Sequence, residues 1–217
     1  MSQPALLTLA RTASLIGGLL WACLAPVFVY ADGALDKPGT AGFALAVSSM
    51  WLVGVVSLVL LLFGLAQLWP LGRDRLGRSG QAGVVVSALA LAAMAVGNGI
   101  ELYAVTARGT ESEIGHTIFL IAFLILIVAS ILLGQILVRS RWSAGVRWAG
   151  LFLLLAAPLG IGFLVLGGVL SPETDLGFWS ALSVPYAIAR VLLAVSAPRG
   201  DDMTTRPAAT RGGAPPR

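Results

Sequence analysis

Few side chains in this sequence combine reactive chemistry with a place inside apolar sequence. Asn98 and Glu101 lie in the apolar stretch 82–105, His116 opens the next one, and Arg190 sits well inside the last. A carboxylate in hydrocarbon costs about 2.5–3.5 kcal/mol at the bilayer centre and less near the interface, so its presence asks for a reason. An imidazole beside a carboxylate can change charge between about pH 5 and 8, the chemistry of a proton-linked step. The connection 106–115 is short, which predicts that the two stretches are antiparallel neighbours with Glu101 and His116 near the same boundary. These four residues are the candidates for transport or proton-linked chemistry.

Each candidate also has a plainer use. Asn98 can hydrogen-bond to a neighbouring helix, Glu101 can reach the outer headgroups, and His116 can cap a helix start. Glu101 lies about four residues, or ~6 Å, from the outer end of its stretch, and Arg190 about twelve residues, or ~18 Å, from the outer end of its own. The remaining gap near ~12 Å is too wide for a direct pair. Arg190 is therefore expected to snorkel toward the cytoplasmic side, with Ser183 and Tyr186 on its face. Gln67 and Gln135 lie near cytoplasmic ends and call for no special role.

No catalytic residue is assigned. The phosphate-binding GxxxxGK[ST], HExxH, GxSxG and paired-cysteine patterns are absent, Cys23 is the only cysteine and His116 the only histidine. Nothing resembles a carboxylate cluster that would hold a metal, so neither cofactor nor metal is expected. Enzymatic activity is the less favoured reading.

The elements that must position these residues are set by composition. Apolar residues make up 58% of the chain and charged residues 11%, with mean hydropathy +0.92; soluble domains carry about 25% charged residues. The apolar residues fall into blocks of about 20, the length that crosses a ~30 Å hydrocarbon core as a helix. Short alternating segments of the kind found in transmembrane barrels are not seen. The fold class expected is all-α, a polytopic bundle of six transmembrane helices over 13–31, 43–69, 82–105, 116–138, 146–170 and 178–197, forming one domain of residues 1–197. The tail 198–217, rich in Pro, Gly, Thr and charge, is expected to be disordered on the cytoplasmic side. A second reading of residues 1–31 is a cleaved secretory signal; its apolar core is long for one, and Trp21 and Pro26 interrupt it.

Loop charge sets the orientation. Arg73, Arg75 and Arg78 follow the second span, Arg139, Arg141 and Arg147 surround the join of the fourth and fifth, and Arg199, Arg206, Arg211 and Arg217 lie in the tail. The alternate loops hold Lys37 and Arg108 with Asp32, Asp36, Glu111, Glu113, Glu173 and Asp175. By the positive-inside rule both termini face the cytoplasm. The net charge of +4 has the same origin, which argues against nucleic acid as a partner. The partners expected are the lipid bilayer and other membrane proteins or a second copy. Heavy use of Ala, Gly, Leu, Val and Arg points to a bacterial cytoplasmic membrane.

Two stripes run along the third span. Ala88, Ala92, Ala95 and Gly99 form a small-residue face for close helix approach; Ser87, Met94, Asn98 and Glu101 form a second, polar one. This makes 82–105 the expected central packing helix. Pro26, Pro158 and Pro185 interrupt the first, fifth and sixth spans, and Pro158 with Gly160 and Gly162 predicts a bend. The function expected is that of a non-enzymatic accessory, structural or sensory membrane component, with a proton-linked transporter or channel subunit as the alternative.

Overall fold

The computed structural model describes residues 3–35, 37–110, 112–140, 143–170 and 175–196. Of Asp32 and residues 69–75 only the backbone is described, so the side chains of Trp69, Arg73 and Arg75 lie outside it. Asp36, Glu111, Arg141, Trp142, Glu173 and the tail 198–217 also fall outside the described residues.

The described residues form helices and no strand. They are α1 (Gln3–Ala22), α2 (Leu24–Leu35), α3 (Ala41–Trp51), a π-helical turn (Leu52–Val56), α4 (Ser57–Gly64), a 3-10 segment (Leu65–Leu71), α5 (Gly72–Arg108), α6 (Glu113–Arg139), α7 (Ala144–Leu154), α8 (Ala156–Leu170) and α9 (Leu176–Ser196). Five helical stretches are long and apolar enough to cross a membrane: Gln3–Ala22, Ala41–Leu68, Leu76–Arg108, Glu113–Arg139 and Leu176–Ser196. A sixth forms if the bent pair α7–α8 is one span. The chain is thus an all-α polytopic bundle.

Helix ends follow local chemistry. Thr40, Ser112 and Ser143 cap α3, α6 and α7, each hydroxyl accepting a hydrogen bond from the backbone amide three residues on. Glu113 in the first turn of α6 and Arg139 in its last complement the helix dipole. Gly109, at φ 67°, ends α5 in the left-handed conformation that suits glycine. Gly77, at φ 61° and ψ −179°, breaks the helical path near the start of α5, so the straight membrane portion follows it.

Two expectations about the elements change, and the expected bend is present. The first span begins at Gln3, ten residues earlier than 13, because 3–12 continues the helix with Ala10 and Ala13 buried. It also stops at Ala22 and restarts at Leu24, a break that precedes Pro26, whose missing amide frees the Ala22 carbonyl. The bend expected in the fifth span is 65° and falls at Leu155, three residues ahead of Pro158. The second change is that α5 is not the centre of the bundle. Each span packs on its neighbours in sequence, α1 also packs on α9, and α5 lies between α6 and the second span.

The close-approach face of α5 also differs from the Ala88–Gly99 stripe, whose members are only half-buried. The tight contact runs through Gly97, where a Cβ would sit 2.7 Å from the Phe119 amide nitrogen and 2.8 Å from the Gly115 carbonyl. Gly115 answers it from α6, with a Cβ position 2.8 Å from the Glu101 amide nitrogen. Two glycines facing each other bring the backbones of α5 and α6 together. That proximity places Glu101 against His116.

Candidate functional site

The four candidate residues fall into three separate groups. At one end of the α5–α6 pair, His116 Nδ1 and Glu101 Oε1 stand 3.3 Å apart. The His116 side chain is 49% exposed and that of Glu101 20% exposed, so this pair lies at a boundary. Its ion-pair character depends on the histidine being protonated.

Asn98, one turn deeper, is buried and belongs to another element. Its Nδ2 donates to the Gly54 carbonyl at 2.8 Å. Gly54 lies in the π-helical turn, where the Ser57 amide reaches back five residues to the Leu52 carbonyl. The Ser57 hydroxyl then donates to the Val53 carbonyl, the acceptor its own amide would have used in an α-helix. Glycine is required at 54 for this approach, since a Cβ there would lie 2.8 Å from Asn98 Nδ2. The wide turn, the glycine and the amide form one lock between the second and third spans. Ser87 and Met94, on the same stripe of α5, are likewise buried.

The third group was not legible as a group. Arg190 of α9 is 1% exposed, which overturns the expectation that it snorkels to the cytoplasmic side. Its Nη2 donates to the Leu61 carbonyl of α4 at 2.7 Å, and its Cζ stands 5.9 Å from the centroid of the Tyr186 ring. The Ser14 hydroxyl of α1 donates to the Arg190 carbonyl at 3.3 Å, and Gln67 Nε2 donates to Ser14 Oγ at 3.0 Å. Gln67 is 4% exposed and so does have a role inside the bundle. Gly64 makes room for the cluster: a Cβ there would lie 2.7 Å from both Arg190 Nη2 and Ser14 Cβ. Two polar atoms in the cluster, Arg190 Nε and Gln67 Oε1, have no hydrogen-bond partner.

Arg190 is kept from the surface of the bundle because the helix face that carries it is pressed on α1. Gly18 admits α9 there, its Cβ position lying 3.1 Å from Val191 and 3.4 Å from Arg190 Cβ. Depth counted along one helix cannot see a neighbour that closes over the side chain. The sequence signal that existed was the small residues Ser14 and Gly18 in the first span and Gly64 beside the polar Gln67 in the second.

The bend of the fifth span opens a cleft of about 270 Å³ between α6, α8 and α9. Ala157, Gly160, Ala181 and Pro185 line it, with Ser130 and Tyr186 as polar contributors in an otherwise apolar wall. None of Asn98, Glu101, His116 or Arg190 lines it. Among the described residues no three or more of His, Cys, Asp and Glu gather where they could hold a metal ion. The four sequence candidates thus resolve into one boundary pair, one interhelical lock and one buried cation, and only Glu101 and His116 are joined directly. No family model, curated protein or solved structure matches the chain.

Proposed function

We propose that the chain is a non-enzymatic accessory, structural or sensory component of a bacterial cytoplasmic membrane, with both termini on the cytoplasmic side. Its partners are bilayer lipid and other membrane proteins or a second copy of itself, and not nucleic acid. The observation that carries this reading is the use of the Asn98 amide. A polar path or active centre requires polar groups that converge on open space; Asn98 instead donates to the Gly54 carbonyl inside a tight helix contact.

A second reading is favoured by the 3.3 Å approach of His116 Nδ1 to Glu101 Oε1. In it the pair takes up and releases a proton at the outer boundary during transport or channel gating. Proteoliposomes holding a pH-sensitive dye separate the two. Under an imposed pH gradient the accessory reading expects wild-type and protein-free vesicles to equilibrate at the same rate. Faster equilibration by the wild type, abolished in Glu101→Gln, would replace it with the proton-linked reading.

A further inference from the structure

We propose that Arg190 is the cationic centre of an intramembrane binding site for a small anion of the size of chloride or a carboxylate, enclosed by α1, α4 and α9. A guanidinium carries its charge at any physiological pH and has five N–H donors to satisfy. In this bundle it is 1% exposed, so water does not compensate the charge. The groups that face it from the packed elements are the Leu61 carbonyl, the Tyr186 ring and the Gly64 backbone. A carbonyl dipole and a ring quadrupole supply partial negative charge only. Among the described residues no carboxylate lies within ion-pair distance of Arg190. An isolated buried charge costs several kcal/mol, and proteins offset that with a counter-charge.

The open atoms point the same way. Arg190 Nε keeps a donor without a partner, and the same cluster contains the unpartnered Gln67 Oε1. An amide can turn end for end, exchanging its oxygen and nitrogen. In the turned form the Ser14 hydroxyl leaves the Arg190 carbonyl and donates to Gln67 Oε1, and the amide nitrogen becomes a second open donor in the cluster. One neutral and one charged N–H left open in the same cluster are the donors an anion requires. Gly64 lets the second span close on the cluster, since a Cβ there would clash with Arg190 Nη2 and Ser14 at 2.7 Å. Arg190 lies six residues, about 9 Å by helical rise, before the end of α9 at Ser196. Its near-complete burial within the bundle favours an anion that arrives from water over a lipid headgroup.

The test uses the full-length protein in neutral detergent at constant ionic strength. Thermal unfolding is followed while gluconate, too large for the site, is exchanged for chloride, formate or inorganic phosphate. The proposal expects a saturable rise of about 5 °C in midpoint with chloride or formate, the size that ligand linkage gives near a hundredfold excess over Kd. Arg190→Gln should abolish the rise and Arg190→Lys should retain part of it. Gln67→Leu should weaken the anion dependence severalfold without removing it. Equilibrium dialysis with radiolabelled chloride on the wild type should give one bound ion per chain, which keeps the proposal testable if Arg190→Gln does not fold. Equal midpoints in all four anions, or no bound chloride at 100-fold excess over protein, would overturn it. A rise seen only with anionic-lipid vesicles, and not with free anions, would assign Arg190 to a lipid headgroup and also overturn it.

Discussion

Asn98 shows how one side chain can fix two helices. Its amide satisfies a carbonyl in a π-helical turn, and the turn needs Gly54 to admit it. Interhelical hydrogen bonds in membranes are worth about 0.6 kcal/mol on average and up to about 1.7. Asn98→Ala should therefore lower stability within about that range, measured as the midpoint of thermal unfolding in detergent. Gly54→Ala should cost at least as much, because its Cβ displaces the amide that Asn98→Ala merely removes. At Gly64 the new methyl would meet Ser14 and Arg190 Nη2 together. Overpacking of this kind costs about 1–3 kcal/mol, the loss expected for Gly64→Ala. Residue type alone exposed Asn98, Glu101 and His116 in the sequence, since polar groups inside apolar runs are conspicuous. It misjudged Arg190 and Gln67, because their burial depends on Ser14, Gly18 and Gly64, residues that are far away in sequence and chemically unremarkable by themselves.

At the scale of elements, the glycine pair Gly97 and Gly115 sets the contact that places the Glu101–His116 pair. Gly97→Ala should force α5 and α6 apart, its Cβ lying 2.7 Å from the Phe119 amide nitrogen, with a stability loss of about 1–3 kcal/mol. It should also weaken any response to pH that Glu101 and His116 carry together. Gly99→Ala is the matched control: the nearest atom to its new Cβ is Trp51 Cζ3 at 3.9 Å, ordinary contact. That change should stay within about 0.5 kcal/mol. Both measurements use the same unfolding midpoint, so a similar loss in the two variants would refute the assignment of the contact. Hydrophobic block length and Pro158 were enough to foresee the helices and a bend in the fifth span. The π-helical turn was invisible, because its sequence LVGVV reads as ordinary apolar helix and the wide turn becomes worthwhile only when Asn98 and Ser57 satisfy its carbonyls. The exact packing face of α5 was missed for a similar reason. Small residues recur on several faces of an alanine-rich helix, and only the partner helix selects among them.

For the whole molecule, spans that pack on their neighbours in sequence, with α1 against α9, leave polar groups distributed among several helix contacts and do not gather them around one space. The proposed orientation, with both termini in the cytoplasm, rests on the loop arginines and the positive-inside rule. A reporter fused after Arg217 should therefore be active in its cytoplasmic form. An external signal would mean either an inverted six-span bundle or, with the N-terminus still cytoplasmic, five crossings with the bent α7–α8 pair as a re-entrant segment. The central claim is that the interior of α5 serves helix contact and does not line water. In a Cys23→Ser background, Met94→Cys and Asn98→Cys can be treated with a membrane-impermeant maleimide, with exposed Glu113→Cys as the reference. The account predicts full labelling of Glu113→Cys while both interior cysteines stay unreacted. Labelling of Met94→Cys at a rate comparable to Glu113→Cys would show water deep in the bundle and contradict it.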